Sequence, residues 1–139
     1  MSEDYTHFQH KFIGVIDDEP DLVFLFTEAL KQLEGYSVFG FSDPKLALKQ
    51  LTANKSNYAL LLSDLRMPGM SGIELLRESK KVNPSIVCIL MSAFDPNSDP
   101  AYVLSVKEKF IDGFIEKPVN MEQLISDIKG KLPGAGDVP

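Results

Sequence analysis

Five short apolar segments are spaced along the chain, and four of them are followed at once by a polar residue suited to phosphate chemistry. The segments are rich in Val, Ile, Leu and Phe without sustained alternation, which is typical of strands buried on both faces of a sheet. They span residues 11–16, 37–41, 58–63, 86–91 and 113–116. This pattern predicts a fold in which short buried strands alternate with connecting segments that are longer than the strands.

The connecting stretches have the apolar spacing of helices. In the first of them, either Leu25 or Phe26 continues the apolar face. Several stretches also begin at a proline, a glycine or a capping residue. These residues are Pro20, Pro44, Gly72 and Asn120. Strands and helices are therefore predicted to alternate along the chain.

This alternation predicts an α/β domain with a five-stranded parallel sheet and helices on both faces. For five strands the flavodoxin-like, doubly wound order 2-1-3-4-5 is expected. We expect this domain to span residues 11–132. Residues 1–10 would form a polar N-terminal extension and residues 133–139 a flexible tail or linker stub.

The polar residues at the strand ends are expected to meet at one site. In an open parallel sheet, ligands bind beyond the carboxyl ends of the strands, at the point where the strand order reverses. Asp17 and Asp18 follow the first strand, Asp64 the third, Ser92 the fourth and Lys117 the fifth. Three carboxylates and one ammonium sum to −2, so a divalent cation is expected. An all-oxygen ligand set favours Mg²⁺, with Mn²⁺ as a substitute.

The same residue types point to phosphoryl chemistry. A carboxylate such as Asp64 can act as a nucleophile toward phosphorus, giving an aspartyl phosphate. Ser92 could donate a hydrogen bond to the phosphoryl oxygens, and Lys117 could place a positive charge beside them. Taken singly, most of these residues also have a simpler interpretation. Asp17 and Asp18 could cap a helix. Ser92 could be a loop or capping residue, and Lys117 could lie at an ordinary strand exit.

Together, the motifs VIDDEP, SDLRMPGMSG, MSA and EKP resemble the receiver domain of two-component response regulators, over about residues 11–131. The resemblance implies that Asp64 accepts a phosphoryl group from a sensor histidine kinase or a histidine phosphotransfer protein. It implies that Mg²⁺ is held by Asp17, Asp18, Asp64 and the main-chain carbonyl of Arg66. Ser92 and Lys117 would then bind the phosphoryl group.

The resemblance also suggests how the signal leaves the site. Phe114 matches the family's switch aromatic, which turns inward when the hydroxyl residue, here Ser92, moves toward the phosphate. Arg66 and Phe94 occupy positions expected to modulate the phosphoryl lifetime or partner recognition, although Arg66 could equally be an ordinary surface residue. The output surface would comprise the fourth helix, the fifth strand and the fifth helix, with a downstream protein or a phosphorylation-dependent homodimer as partner.

One segment departs from the family pattern. Pro96 and Pro100 prevent an early helix start, so the loop after the fourth strand should be long and the fourth helix should begin near Asp99. Asp112-Gly113 also replaces the small residues usual before the fifth strand. These differences concern the output face and leave the phosphorylation site intact.

Composition excludes several classes of function. The net charge of −6 disfavours direct nucleic-acid binding, and the longest apolar segments are too short to cross a bilayer. The single cysteine, Cys88, fits a buried thiol in a cytoplasmic protein. We therefore expect a cytoplasmic phosphoacceptor and not an enzyme that turns over an external substrate.

Two alternative functions each require a sequence feature that this chain lacks at the corresponding position. A phosphatase of the haloacid dehalogenase type needs a second Asp two residues after the first, where this chain has Arg66. A flavodoxin needs a phosphate loop where this chain has Asp17-Asp18-Glu19-Pro20, which would repel phosphate. A phosphorylation-independent adaptor and a receiver fragment of a larger regulator remain as alternatives.

Overall fold

A computed structural model describes residues 11–132. The predicted extension at 1–10 and the predicted tail at 133–139 lie outside the described residues. Within 11–132, strands and helices alternate, with one 3₁₀ turn at Pro96–Ser98. The strands are β1 (Lys11–Ile16), β2 (Tyr36–Phe41), β3 (Tyr58–Asp64), β4 (Val87–Ser92) and β5 (Gly113–Glu116). The helices are α1 (Pro20–Leu30), α2 (Pro44–Ala53), α3 (Gly72–Val82), α4 (Pro100–Lys107) and α5 (Met121–Lys131).

The described strands form one parallel sheet in the order β2-β1-β3-β4-β5, which confirms the predicted topology. The bounds of three strands differ from the predicted ones by one residue. β2 begins one residue early, β3 extends to Asp64, and β4 spans 87–92 instead of 86–91. As a result Asp64 and Ser92 are the last residues of their strands, held by the sheet's hydrogen bonds, and do not lie in the loops that follow.

Apolar side chains cover both faces of the sheet, as the uninterrupted apolar segments predicted. One cluster packs α1 and α5 against the sheet, and a second packs α2, α3 and Phe110 against the opposite face. In α1, Phe26 and Leu30 are buried, whereas Leu25 is half-exposed. Of the two residues considered for this face, Leu25 was therefore the wrong one, because Phe26 and Leu30 are one helical turn apart and Leu25 lies beside that line.

Capping residues fix the points at which several loops become helices. Asp43, Ser71, Asp99 and Asn120 each accept a hydrogen bond from a backbone N–H of the first helical turn that follows. The predictions that Asn120 caps the last helix and that the fourth helix begins near Asp99 are both confirmed. Each of these four caps fixes the residue at which its loop ends and its helix begins.

Each helix between residues 11 and 132 is too short or too polar to cross a membrane.

Candidate functional site

The three predicted carboxylates lie together at the carboxyl edge of the sheet. Asp17 follows β1 directly and Asp64 ends β3, and these strands are neighbours. Oxygen atoms of Asp17, Asp18 and Asp64 all lie within 4.8 Å of one another. Asp17 is fully buried, Asp64 is almost buried and Asp18 is exposed, so the cluster opens to solvent on the side of Asp18.

Lys117 lies across this cluster. Its Nζ donates a hydrogen bond to Oδ2 of Asp17 at 2.7 Å and forms an ion pair with Oδ1 of Asp64 at 3.2 Å. The Lys117 side chain is only 16% exposed, and its backbone N–H donates to the carbonyl of Ser92 at 2.9 Å. The sequence prediction placed Lys117 beside a phosphoryl group, and the structure adds that it joins the two most buried carboxylates.

Burial and charge shift the acid–base properties of this pair. Burial raises the pKa of Asp64; the ammonium of Lys117 opposes this effect, and the charges of Asp17 and Asp18 add to it. For Lys117, burial alone would lower the pKa, but the hydrogen bond to Asp17 and the attraction of Asp64 raise it above the usual value. The raised pKa favours the charged form of Lys117, whereas the ionised form of Asp64 is disfavoured, chiefly by burial.

The second oxygen of Asp17 has its own partner. Oδ1 of Asp17 accepts a hydrogen bond from the backbone N–H of Glu19 at 2.9 Å. Glu19 precedes α1, and its side chain makes no capping hydrogen bond. The Asp17 carboxylate is therefore oriented by two donors and lies in the strand-end cluster, so the interpretation of Asp17 as a simple helix cap is wrong.

The hydroxyl of Ser92 is buried beside the cluster. Its Oγ accepts a hydrogen bond from the backbone N–H of Phe94 at 3.0 Å. The ring of Phe94 is 58% exposed, and the guanidinium carbon of Arg66 lies 4.6 Å from the ring centroid. Arg66 follows β3 and Phe94 follows β4, so this contact joins the loop after Asp64 to the loop after Ser92.

Phe114 connects β5 to α4. Its partly buried ring meets that of Tyr102 edge to face, with 5.9 Å between the centroids. On the outer surface of α4, Val103, Leu104 and Val106 are substantially exposed. Phe114 thus packs against the core and contacts α4, and its role as the switch aromatic stays a prediction.

Gly72 is a site residue whose role the sequence did not reveal. A Cβ atom at this position would lie 2.1 Å from the carbonyl oxygen of Asp64. Gly72 also donates its backbone N–H to the carbonyl of Leu65 at 2.9 Å. The glycine allows α3 to begin against the backbone of β3; its position just after the capping residue Ser71 was the available signal.

The cluster has the chemistry of a magnesium site. Its donors are carboxylate oxygens, the exposed side of Asp18 allows water to complete a coordination sphere, and Lys117 leaves a formal charge of −2. No described His or Cys belongs to this group, whereas a nitrogen or sulfur ligand would favour zinc. The residues present therefore fit Mg²⁺.

Comparisons with known proteins agree with this geometry. A family model for the response regulator receiver domain matches residues 13–129. A cyclic di-GMP phosphodiesterase of Thermotoga maritima is 36% identical over 93 residues, which are 67% of this chain and 23% of that protein. Sporulation initiation phosphotransferase F of Bacillus subtilis is 28% identical over 121 residues, which are 87% of this chain and 93% of that protein.

A solved structure gives a similar result. The response regulator protein TrrA of Thermotoga maritima, in complex with Mg²⁺ and BeF, is 32% identical, with a TM-score of 0.72 and coverage of 88% of this chain and 99% of that one. The chain spans only 23–25% of the length of several curated relatives, the phosphodiesterase among them. The activities of those larger proteins therefore belong to chains about four times as long as the matched region.

Proposed function

Because this chain belongs to the response regulator receiver family, we propose that Asp64 accepts a phosphoryl group and thereby switches a surface that binds a partner. Receiver domains interact with histidine kinases or histidine phosphotransfer proteins, and one of these would be the donor. The observation that carries the proposal is the Asp64 carboxylate at the end of β3, which pairs with Lys117 and lies beside the carboxylates of Asp17 and Asp18.

The transfer step needs few groups. An oxygen of Asp64 attacks the phosphorus, and a P–O bond forms while the P–N bond of the phosphohistidine breaks and its electron pair returns to the imidazole nitrogen. Lys117 offsets negative charge on the phosphoryl oxygens, and Ser92 donates its hydroxyl hydrogen to one of them. Asp17, Asp18, Asp64 and the main-chain carbonyl of Arg66 would hold Mg²⁺ or Mn²⁺, which supplies charge neutralisation at the phosphoryl group.

The consequence would be a shift between two conformations. A phosphoryl group adds nearly two negative charges, and its bonds to Ser92 and Lys117 would draw the loops after β4 and β5 inward. Phe114, which lies in β5 and contacts Tyr102 on α4, would turn inward with them. The surface of α4, β5 and α5 would then bind a downstream protein or a second copy of the chain, with the cytoplasm as the compartment.

We propose that the chain takes up and loses a phosphoryl group on its own Asp64 and does not hydrolyse an external phosphate ester. Arg66 stands where an aspartyl phosphatase of the haloacid dehalogenase type would carry its acid–base Asp, and an arginine cannot exchange a proton at neutral pH. Loss of the phosphoryl group would instead occur by slow attack of water on the phosphorus of the aspartyl phosphate, which breaks the P–O bond to Asp64 and releases inorganic phosphate and the free carboxylate. Multiple rapid turnovers of a phosphomonoester would contradict this assignment.

Phosphorylation can be tested without knowing the cognate kinase. The chain is incubated with Mg²⁺ and acetyl phosphate or phosphoramidate, and intact mass is measured beside Asp64→Asn, which keeps the side-chain size. We expect one phosphoryl group on the wild type, none on the variant, and none when EDTA removes Mg²⁺. If both proteins stay unmodified with either donor, a phosphorylation-independent adaptor becomes the better assignment.

A further inference from the structure

The contact between Arg66 and Phe94 has a direct relation to the phosphorylation site. Arg66 lies two residues after Asp64, beside a cluster with a formal charge of −2. Yet among the described residues the ion pairs of Asp17 and Asp64 are both made by Lys117, and the Arg66 guanidinium lies over the Phe94 ring. The cation nearest in sequence to Asp64 is therefore held by an aromatic ring.

Phe94 holds a second group of the site as well. Its backbone N–H donates to the Ser92 hydroxyl at 3.0 Å. A phosphoryl group on Asp64 would attract both groups that Phe94 holds, the hydroxyl of Ser92 and the guanidinium of Arg66. A charge-assisted hydrogen bond to phosphate is stronger than a cation–π contact at an exposed ring, so the phosphoryl group would prevail.

We propose that Phe94 is a positioning residue that keeps the Arg66 guanidinium off the phosphorylation site until a phosphoryl group on Asp64 attracts it. The inference rests on the proposed function and adds a specific competition to it. The Arg66–Phe94 stack exists only before phosphorylation, so it stabilises the unphosphorylated form. Separating the ring from the guanidinium costs free energy, and this cost weakens the binding of a phosphoryl group or its analogue.

The test measures the apparent dissociation constant of beryllofluoride with Mg²⁺, by calorimetry or by NMR chemical shifts. Phe94→Leu removes the ring but keeps the backbone N–H that binds Ser92. We expect it to bind about two- to fivefold more tightly than the wild type, since an exposed cation–π contact corresponds to that factor. Arg66→Ala should bind more weakly, because the guanidinium that would move to the phosphoryl analogue is absent.

The double variant makes the test specific. In the Arg66→Ala background, Phe94→Leu should change the affinity no further, because the competing contact no longer exists. Phe24→Leu is the matched control, since Phe24 is an exposed ring on α1, and it should leave the affinity unchanged. A Phe94→Leu protein that binds no more tightly, or that gains affinity equally without Arg66, would overturn the inference.

A spectroscopic measurement reports the movement itself. The chain contains no Trp, so Phe94→Trp introduces a single indole that preserves the ring face. We expect its emission to change when beryllofluoride and Mg²⁺ are added, and most of that change to disappear in the Arg66→Ala background. An equal change in both backgrounds would contradict release of the guanidinium. Absence of beryllofluoride binding by the wild type itself would refute the proposed function instead.

Discussion

Replacing Lys117 with methionine removes the ammonium that joins Asp17 to Asp64, while keeping a side chain of similar length. Asp17 is fully buried and would retain only the N–H of Glu19 as a donor. Removing one partner of a buried ion pair costs about 3–5 kcal/mol, because the other charge stays buried and uncompensated. Since Lys117 and Asp64 are 16% and 13% exposed, water can replace part of the lost interaction, and the expected loss is about 3 kcal/mol.

Urea denaturation followed by circular dichroism, with EDTA present, measures this loss. A decrease of about 3 kcal/mol corresponds to a melting temperature lower by roughly 10 °C for a domain of this size. Adding Mg²⁺ should stabilise Lys117→Met more than the wild type, because the variant cluster has a formal charge of −3 and should bind the cation more tightly. Lys81→Met is the matched control: its pair with Glu78 is exposed, so the expected loss is at most about 0.5 kcal/mol.

Two results would refute this reasoning. If Lys117→Met were as stable as the wild type in EDTA, the ammonium would not be compensating buried charge in the folded protein. If Mg²⁺ stabilised the variant and the wild type equally, the carboxylates that Lys117 contacts would not be those that hold the cation.

Three further predictions concern Asp64, Cys88 and Gly72. Asp64→Asn should raise the melting temperature in EDTA at neutral pH. The pKa of Asp64 is raised in the folded protein, so stability is lost as the pH rises through that folded-state pKa, and the neutral Asn avoids this loss. A lower melting temperature for the variant would contradict this. Cys88, buried and with its pKa raised to about 12, should resist Ellman's reagent at pH 8 until urea unfolds the chain; rapid labelling of the native protein would disprove its burial. Gly72→Ala should lower the free energy of unfolding by about 1–3 kcal/mol, because the added Cβ would meet the backbone of Asp64. Gly130→Ala in α5, where the added Cβ has open space, should raise it by about 0.5–1 kcal/mol. Equal urea midpoints for the two variants would argue against the close approach at Gly72.

Several features of the fold could be predicted because they depend on neighbours in sequence. A buried strand needs a local run of apolar residues, and a helix start needs a capping residue within one turn. The start of α4 after Asp99 and the cap at Asn120 were found in this way. The ends of β3 and β4 were each misplaced by one residue, because the ladder partners that extend them, Met91 for Asp64 and Glu116 for Ser92, lie far away in sequence.

The candidate site was predictable as a set of residues but not as a set of contacts. The topology rule brings the strand ends together without stating which atoms touch. The bond from Lys117 to Asp17 joins residues 100 positions apart, and the stack of Arg66 on Phe94 depends on two loops whose relative position no local pattern encodes. The close approach at Gly72 likewise follows from how α3 meets β3.

The sequence by itself determined which residues can do phosphoryl chemistry and the order in which strands carry them to one edge of the sheet. The tertiary structure alone decided how these residues share their interactions: Lys117 with two carboxylates, Ser92 with the backbone of Phe94, and Arg66 with an aromatic ring. The physical reason is range. Propensity and apolar periodicity act over a few residues, whereas pairing and desolvation at the site depend on distances that exist only once the whole sheet has formed.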